Sequence, residues 1–254
     1  MHVYRLYSFL LAFGVFFLTT LDSSGQVASG KHDNLFKLYE SGWYEDCLFK
    51  AEMMTEKEKY KKDPEPYLYM AMCFYELIRI PQQAAFYKNA LRYSFKQAAK
   101  VRKLDKDHSL YQANTAFYQK LTQWGLEQAG EDIEQKKHRK AATKYGYILK
   151  IDPGNKNMLY TKGVHNILAR NVSGGLIIVK SALDDIKSGY SSDKMTQPAA
   201  IDAVISFSNY LLQESLLDTL KTALLIDSAR TTLSIGTIMF PNSSSIRNEL
   251  EKSR

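Results

Sequence analysis

Apolar residues recur every three or four positions along most of this chain, which is the spacing of one face of an α-helix. The pattern and the turns between its segments predict helices near 33–40, 44–61, 65–78, 81–104, 108–131, 134–150, 156–170, 174–188, 198–213, 216–239 and 243–252. Six prolines and 13 glycines are too few to divide the chain into the many short strands of a sandwich. The expected fold class is therefore all-α.

The helical pattern is clearest between residues 141 and 153, which read AATKYGYILKIDP. Ala141, Tyr145 and Ile148 lie on one helical face, and Pro153 ends the helix. A small residue allows two helices to approach closely, and an aromatic residue one turn later fills the wider gap between them. This segment is thus predicted to pack along a second helix.

These four positions resemble the second helix of the tetratricopeptide repeat family. In that family a small residue is followed after four positions by an aromatic or large one, then by a small or apolar one and by proline. Partial copies of this frame occur at Gly175, Val179 and Ala182; at Ala229, Leu233, Gly236 and Pro241; at Cys47 and Ala51, in the turn and second-helix entry that starts at Gly42; and at Tyr87 and Ala90. Gly163 matches the small residue of the family's first helix, and the unit that begins at Tyr67 has Met70, Ala71 and Phe74 on its first helix. The resemblance implies an α-solenoid of antiparallel helix pairs, in which stacked repeats share a core.

The repeat period is not kept along the whole chain. From Ala141 to Gly175 the spacing equals the family period of about 34 residues. From Gly175 to Ala229 it does not, which predicts an irregular joint near 188–198. Residues 91–135 also fit poorly, because the helices predicted there are longer than those of the family. A different α-solenoid, or a helical bundle with one or two true repeats, remains an alternative.

The first residues differ in character from the rest of the chain. Arg5 precedes an apolar run, Leu6–Leu21, and small or polar residues follow it. A basic start, an apolar core and a small-residue cleavage site are the three parts of a secretory signal peptide. We therefore expect a signal peptide over residues 1–25, cleaved after Gly25 or alternatively after Ser29, and a TPR-like helical domain over the remaining residues 26–254.

An uncleaved membrane anchor is the competing interpretation of this run. The run is shorter than the ~20 apolar residues that a spanning helix usually needs. No later segment is long and apolar enough to cross a bilayer, so we expect export to the periplasm or cell envelope with no transmembrane span after cleavage. A small residue followed by Gln26 at the cleavage site resembles signal peptides of Bacteroidota, which hints at a bacterial source.

The formal net charge is +7, and basic residues cluster at 57–62, 100–106 and 136–140. Such clusters attract anionic lipids, cell-wall polymers or nucleic acid. Nucleic acid is a poor fit for an exported protein, so we expect none. Acidic residues beside the lysines of the first two clusters also fit plain solvated helix faces, and an acidic protein partner is a further option.

The sequence contains no recognisable catalytic or metal-binding motif. None of its five histidines lies one helical turn from another, and it has no HExxH, CxxC, phosphate loop or GxSxG elbow. We therefore expect no metal, no other cofactor and no enzymatic activity, with a helical-repeat envelope enzyme as the rival. Export would permit a disulfide between Cys47 and Cys73, although their apolar helical neighbours equally suit buried thiols.

Tyrosine is abundant, with 17 residues. Because its large apolar body carries a polar tip, most tyrosines are expected in helix interfaces, and any on the surface would form rigid anchors for a partner. Tyr69, Tyr75 and Tyr87, flanked by Lys88 and Arg92, are the predicted partner-binding residues. The family resemblance implies in addition that first-helix residues line a concave face.

Together these features predict an exported helical-repeat scaffold or adaptor that binds a protein or peptide partner. A secretion, assembly or motility complex of the cell envelope is the expected setting. A rigid stack of helices would present a preformed groove at a low cost in ordering. Binding of anionic cell-wall or lipid ligands through the lysine clusters is the alternative.

Overall fold

The computed structural model describes residues 31–187, 193–217 and 221–253, and every regular element within them is helical. The α-helices are α1 (Asp33–Glu40), α2 (Tyr44–Thr55), α3 (Pro64–Leu77), α4 (Pro81–Ala84), α5 (Ala90–Leu104), α6 (Ser109–Ala113), α7 (Thr115–Glu134), α8 (His138–Ile151), α9 (Lys156–Leu168), α10 (Val172–Lys187), α11 (Gln197–Leu217), α12 (Thr222–Met239) and α13 (Ser244–Lys252). A short 3₁₀ helix, Glu58–Tyr60, lies between α2 and α3. The described residues contain no β-strand, which confirms the predicted all-α class.

Each predicted helical segment contains a helix of the structure, but several segments are divided or shortened. The segment 108–131 is interrupted at Asn114, whose side-chain Nδ2 donates to the carbonyl oxygen of Leu110 at 2.8 Å. A short amide side chain that bonds the backbone in this way competes with helical hydrogen bonds. The segment 81–104 is divided into α4 and α5, and the segment 44–61 continues after α2 only as the 3₁₀ helix.

The helices pack mainly against helices that are near them in sequence. In the first half α3 packs against α2 and α5, with α1 against α2 and α3, and α8 packs against both α5 and α7. In the second half α9 packs against α8, α10 and α11, α11 packs against α12, and α13 closes on both of these. Most interhelical contacts therefore join neighbours along the chain rather than its two ends.

The buried apolar side chains form two clusters. The first extends from Leu35 to Met158 and includes α2, α3, α5, α7 and α8. The second extends from Tyr160 to Ile246 and includes α10, α11 and α12. Helix α9 contributes to both clusters, because Met158 belongs to the first and Tyr160 to the second.

Helices α9 and α10 cross with their backbones in contact. A Cβ atom placed on Gly175 would lie 2.7 Å from the carbonyl oxygen of Gly163 and 2.5 Å from Cγ1 of Ile167. A Cβ atom on Gly163 would lie 2.9 Å from the backbone nitrogen of Val179. The crossing therefore requires glycine on both helices, at positions that the repeat frame identifies as small.

Some predicted features lie partly or wholly outside the described residues. This holds for the predicted signal peptide at 1–25 and for residues 188–192 of the predicted joint. The described part of the joint, residues 193–196, leads directly into α11. Within the part of the chain that the structure describes, none of the helices has both the length and the apolarity needed to cross a bilayer.

Cys47 and Cys73 are both free thiols and are fully buried, on the adjacent helices α2 and α3. The Cys47 thiol donates to the carbonyl oxygen of Leu35 at 3.4 Å. Burial raises the pKa of the Cys73 thiol well above its ordinary range, and a hydrogen bond with Cys47 raises it further. Of the two options left open by the sequence, the structure has the pair of buried thiols.

Candidate functional site

An open cleft of about 270 Å³ lies between α3 and α7. We call it the α3–α7 cleft; its lining residues are Tyr75 and Arg79 on α3, Gln119, Lys120, Gln123, Trp124 and Glu127 on α7, and Met195. On both helices these residues are spaced three or four positions apart, which places them on one helical face. The cleft is therefore a surface that two helices build together.

Aromatic side chains form the wall of the cleft. The ring of Tyr75 lies edge-to-face with Trp124, with centroids 5.5 Å apart, and with Phe117 at 6.0 Å. The guanidinium carbon of Arg79 lies 4.4 Å from the centroid of the Tyr75 ring. Because Tyr75 is only 7% exposed, these contacts hold its ring in place and make the wall rigid.

The rim of the cleft is polar. Arg79, Gln119, Lys120 and Gln123 are all exposed, and the Gln123 amide donates to Oε1 of Glu127 at 3.1 Å. Side-chain amides carry both a donor and an acceptor, so they can bond the backbone of an extended peptide. The rim thus combines two amides, two cations and the carboxylate of Glu127.

Glu76 lies just behind the rim, half-buried. Burial raises the pKa of its carboxyl group, while a hydrogen bond from the hydroxyl of Tyr39 and the charges of Arg79 and Lys120 act in the opposite direction. The hydroxyl of Tyr39 lies 3.3 Å from Oε1 of Glu76. The two cations of the rim therefore also face an acidic group that is partly withdrawn from water.

A second cleft, of about 170 Å³, adjoins the first, because Gln119 and Met195 line both. Met195 is placed by a polar network at the start of α9. The carboxylate of Asp193 accepts hydrogen bonds from the backbone nitrogen of Met195 at 3.3 Å and from the hydroxyl of Thr196 at 2.8 Å. That hydroxyl also lies 3.2 Å from Oδ1 of Asn155, which caps α9 by accepting from the backbone nitrogen of Met158.

The structure places the five predicted partner-binding residues in different environments. Tyr75 lines the α3–α7 cleft. Tyr69 is 1% exposed and lies in the first apolar cluster, so its assignment to a binding surface is wrong. Tyr87 is half-buried, donates to Oε1 of Glu45 at 3.0 Å, and lies beside the exposed Lys88 and Arg92. Burial and this hydrogen bond raise the pKa of Tyr87 to about 12.

The sequence interpretation missed seven of the eight residues that line the cleft, all except Tyr75. Trp124, Gln119 and Gln123 share one face of a predicted helix, so their spacing was a usable signal. Met195 gave no such signal, because the hydrogen bonds of Asp193 with residues of α9 bring it to the cleft.

Two histidines that are far apart in sequence meet between α8 and α9. The Nδ1 atoms of His138 and His165 are 3.2 Å apart, and the Tyr145 ring centroid lies 5.4 Å from that of His165. Burial lowers the pKa of His165 to about 4, helped by the neighbouring His138, and burial also lowers the pKa of His138. A hydrogen bond between the two Nδ1 atoms requires a proton on one of them and a free lone pair on the other.

His32, Asp63 and Glu65 bring three groups that can bind metals within 4.8 Å of one another. Their hydrogen bonds serve the start of α1: the Glu65 carboxylate accepts from the backbone nitrogens of Lys31 at 2.7 Å and His32 at 3.2 Å. Burial raises the pKa of Asp63, but hydrogen bonds from His32, Glu65 and Lys31 hold it below its ordinary value. The ammonium group of Lys31, 3.3 Å from Asp63, already supplies a positive charge here. The cluster therefore joins the residues that precede α1 to the start of α3, where Asp63 caps the helix by accepting from the backbone nitrogen of Glu65.

Comparison with known proteins leaves the function to be argued from geometry. No protein-family model matches the chain, and no curated protein is significantly similar to it. The tetratricopeptide resemblance and the bacterial source are therefore predictions from the sequence alone. The α3–α7 cleft is the feature on which a function can be proposed.

Proposed function

We propose that this protein is an exported helical-repeat scaffold that binds an extended segment of a partner protein in the α3–α7 cleft, and that its role is binding rather than catalysis. The observation that carries the proposal is the rigid Tyr75–Trp124 wall beneath a rim of amides and cations. Aromatic and arginine side chains contribute most to the affinity of protein interfaces, particularly when they are held in place before binding.

The packing order supports an α-solenoid of tetratricopeptide type as the scaffold. Contacts between near neighbours in sequence are what stacked helix pairs require. Residues in the repeat frame are buried, including Ala141, Tyr145 and Ile148 of α8 and Ala229 and Leu233 of α12. In such a stack α3 and α7 are the first helices of successive pairs, so their shared cleft would lie on the concave face.

The cleft chemistry indicates what the partner segment contains. Gln119 and Gln123 suit the backbone of an extended chain, since each offers a donor and an acceptor. The Trp124 ring suits an apolar or aromatic side chain. Arg79 and Lys120 suit an acidic residue next to it, because neither cation has an ion-pair partner among the described residues.

We further propose that the protein acts in the periplasm or at the cell envelope, as part of a secretion, assembly or motility complex. The predicted signal peptide and the charge of +7 support this location, because an anionic envelope attracts a basic protein. Mass spectrometry of the exported protein is expected to give an N-terminus at Gln26. An intact Met1 in that preparation would contradict export by cleavage.

Site-specific photo-crosslinking tests the binding proposal. A photoreactive amino acid at position 123 should crosslink one partner in living cells of the source organism. The same group at position 86 should not, because Phe86 is 84% exposed but lies outside the cleft. Trp124→Ala should abolish the crosslink from position 123, with circular dichroism confirming that the variant is folded. Equal crosslinking from both positions, or a crosslink that survives Trp124→Ala, would contradict partner binding in this cleft.

A further inference from the structure

A hollow of about 320 Å³, separate from both clefts described above, lies between α8 and α9. Arg139, Tyr147 and Lys150 line it from α8, and Lys162 and Asn166 line it from α9. The α8 residues follow one helical face, and the two α9 residues are one turn apart. This α8–α9 hollow shares no lining residue with the α3–α7 cleft.

The charge in the α8–α9 hollow is unbalanced. Arg139, Lys150 and Lys162 line it, no acidic residue does, and none of the three forms an ion pair within the described part of the chain. Other lysines of the same two helices are paired, Lys144 with Asp132 and Lys156 with Asp185. These three cations line one hollow that has no carboxylate among its lining residues, although like charges near one another repel.

The floor of the hollow lacks a side chain at Gly146. A Cβ atom there would make only ordinary contacts, at 3.7 Å and 3.8 Å from Cε and Nζ of Lys162. Helix packing therefore does not require this glycine, whereas it does at Gly163 and Gly175, where a Cβ would lie within 3 Å of backbone atoms. The hollow therefore borders a position without a side chain, next to Cε and Nζ of Lys162.

We infer that the α8–α9 hollow binds the phosphate group of a phosphorylated small molecule or lipid headgroup. The Arg139 guanidinium can donate two parallel hydrogen bonds to phosphate oxygens, and the two ammonium groups supply further charge. A dianion balances three cations better than a single carboxylate does. Two further lining groups, the Tyr147 ring and the Asn166 amide, can contact the part of the ligand beyond its phosphate group. The Lys150 ammonium group lies 5.4 Å from the centroid of the Tyr147 ring.

Isothermal titration calorimetry of the full-length protein at about 0.15 M salt tests this inference with three probes. Pyrophosphate and glycerol 3-phosphate represent free ligands, and phosphatidylcholine vesicles with and without phosphatidic acid represent a membrane source. We expect saturable binding of at least one phosphate probe. Arg139→Ala and Lys162→Met should each weaken that binding about tenfold or more, since each removes a charged hydrogen bond.

Lys140→Met is the matched control, because it removes one exposed charge from α8 at a residue outside the hollow. It should weaken binding by less than about threefold, the extent expected of a screened surface charge. Gly146→Ala separates a ligand site from a structural role. It should raise the melting temperature by improving helix propensity and yet weaken phosphate binding by filling the floor.

Three results would overturn the inference. These are no saturable binding of any phosphate probe, an equal loss in Lys140→Met and Lys162→Met, and a stabilised Gly146→Ala variant with unchanged affinity. The inference does not depend on the partner proposed for the α3–α7 cleft. Trp124→Ala should leave phosphate binding unchanged, so the two proposals can fail separately.

Discussion

Acidification should destabilise this protein through the buried His165 and its half-buried neighbour His138. In the unfolded chain His165 takes up a proton near its ordinary pKa of 6.5, but in the folded protein it does so only near a pKa of about 4. Between these values the unfolded state binds more protons, so the free energy of unfolding falls as the pH is lowered. His138 acts in the same direction, because burial also lowers its pKa.

The size of the effect follows from the burial of His165, whose side chain is 3% exposed. A folded pKa of about 4 against an ordinary value of 6.5 corresponds to a loss of about 3 kcal/mol, complete near pH 4. Domains of this kind have stabilities of about 5–15 kcal/mol in total. The protein should therefore unfold at a clearly lower urea concentration at pH 4 than at pH 7.

Urea unfolding from pH 7 to pH 4 measures this loss. His165→Gln removes the titrating group, so its free energy of unfolding should fall about 3 kcal/mol less across this range than that of the native protein. His108→Asn is the matched control, because His108 is exposed and its left-handed backbone (φ 61°) suits asparagine. NMR titration of the ring nitrogens should give a midpoint near pH 4 for His165. A midpoint near 6.5, or the same pH dependence in His165→Gln and His108→Asn, would refute the reasoning.

Further substitutions test individual contacts of the fold. Glu65→Ala should lower the free energy of unfolding by about 1–2 kcal/mol, because it removes the acceptor for two backbone nitrogens at the start of α1. Gly175→Ala should destabilise by about 1–3 kcal/mol through its clash with α9, whereas Gly146→Ala should stabilise by up to about 1 kcal/mol. Cys47 and Cys73 should react with a thiol reagent only after unfolding, since both are buried and the pKa of Cys73 is raised.

Each of these predictions has a control or an outcome that would contradict it. Glu56→Ala removes an exposed glutamate near the end of α2 and should change stability by less than about 0.5 kcal/mol. If Gly175→Ala left the free energy of unfolding unchanged, α9 and α10 would be able to move apart at little cost. Thiols that react fully in the native protein, monitored by absorbance, would contradict the buried positions of both cysteines.

Helical periodicity was sufficient to predict the fold class and most helices, because a buried stripe repeats locally in sequence. The stripe Ala141, Tyr145 and Ile148 is at most 2% exposed, as its spacing indicates. The interruption at Asn114 was missed because it depends on whether one side-chain amide hydrogen-bonds to solvent or to a backbone carbonyl group. Propensity alone does not resolve that choice.

The candidate site was predictable only in part. Tyr69 and Tyr75 were both proposed, but residues six positions apart on a helix point about 120° away from each other. One therefore faces the apolar cluster and the other the cleft. The α8–α9 hollow was less accessible to prediction, because Arg139 and Lys162 come together only when two helices pack.

Helix α9, which contributes Met158 to one apolar cluster and Tyr160 to the other, limits how the chain can be divided. A fragment that ends before α9 would expose the surface on which Met158 packs. A fragment that begins after it would lose Tyr160, Val164 and Ile167 from the second cluster. Two complementary halves would each need their own copy of α9, because this helix contributes side chains to both clusters.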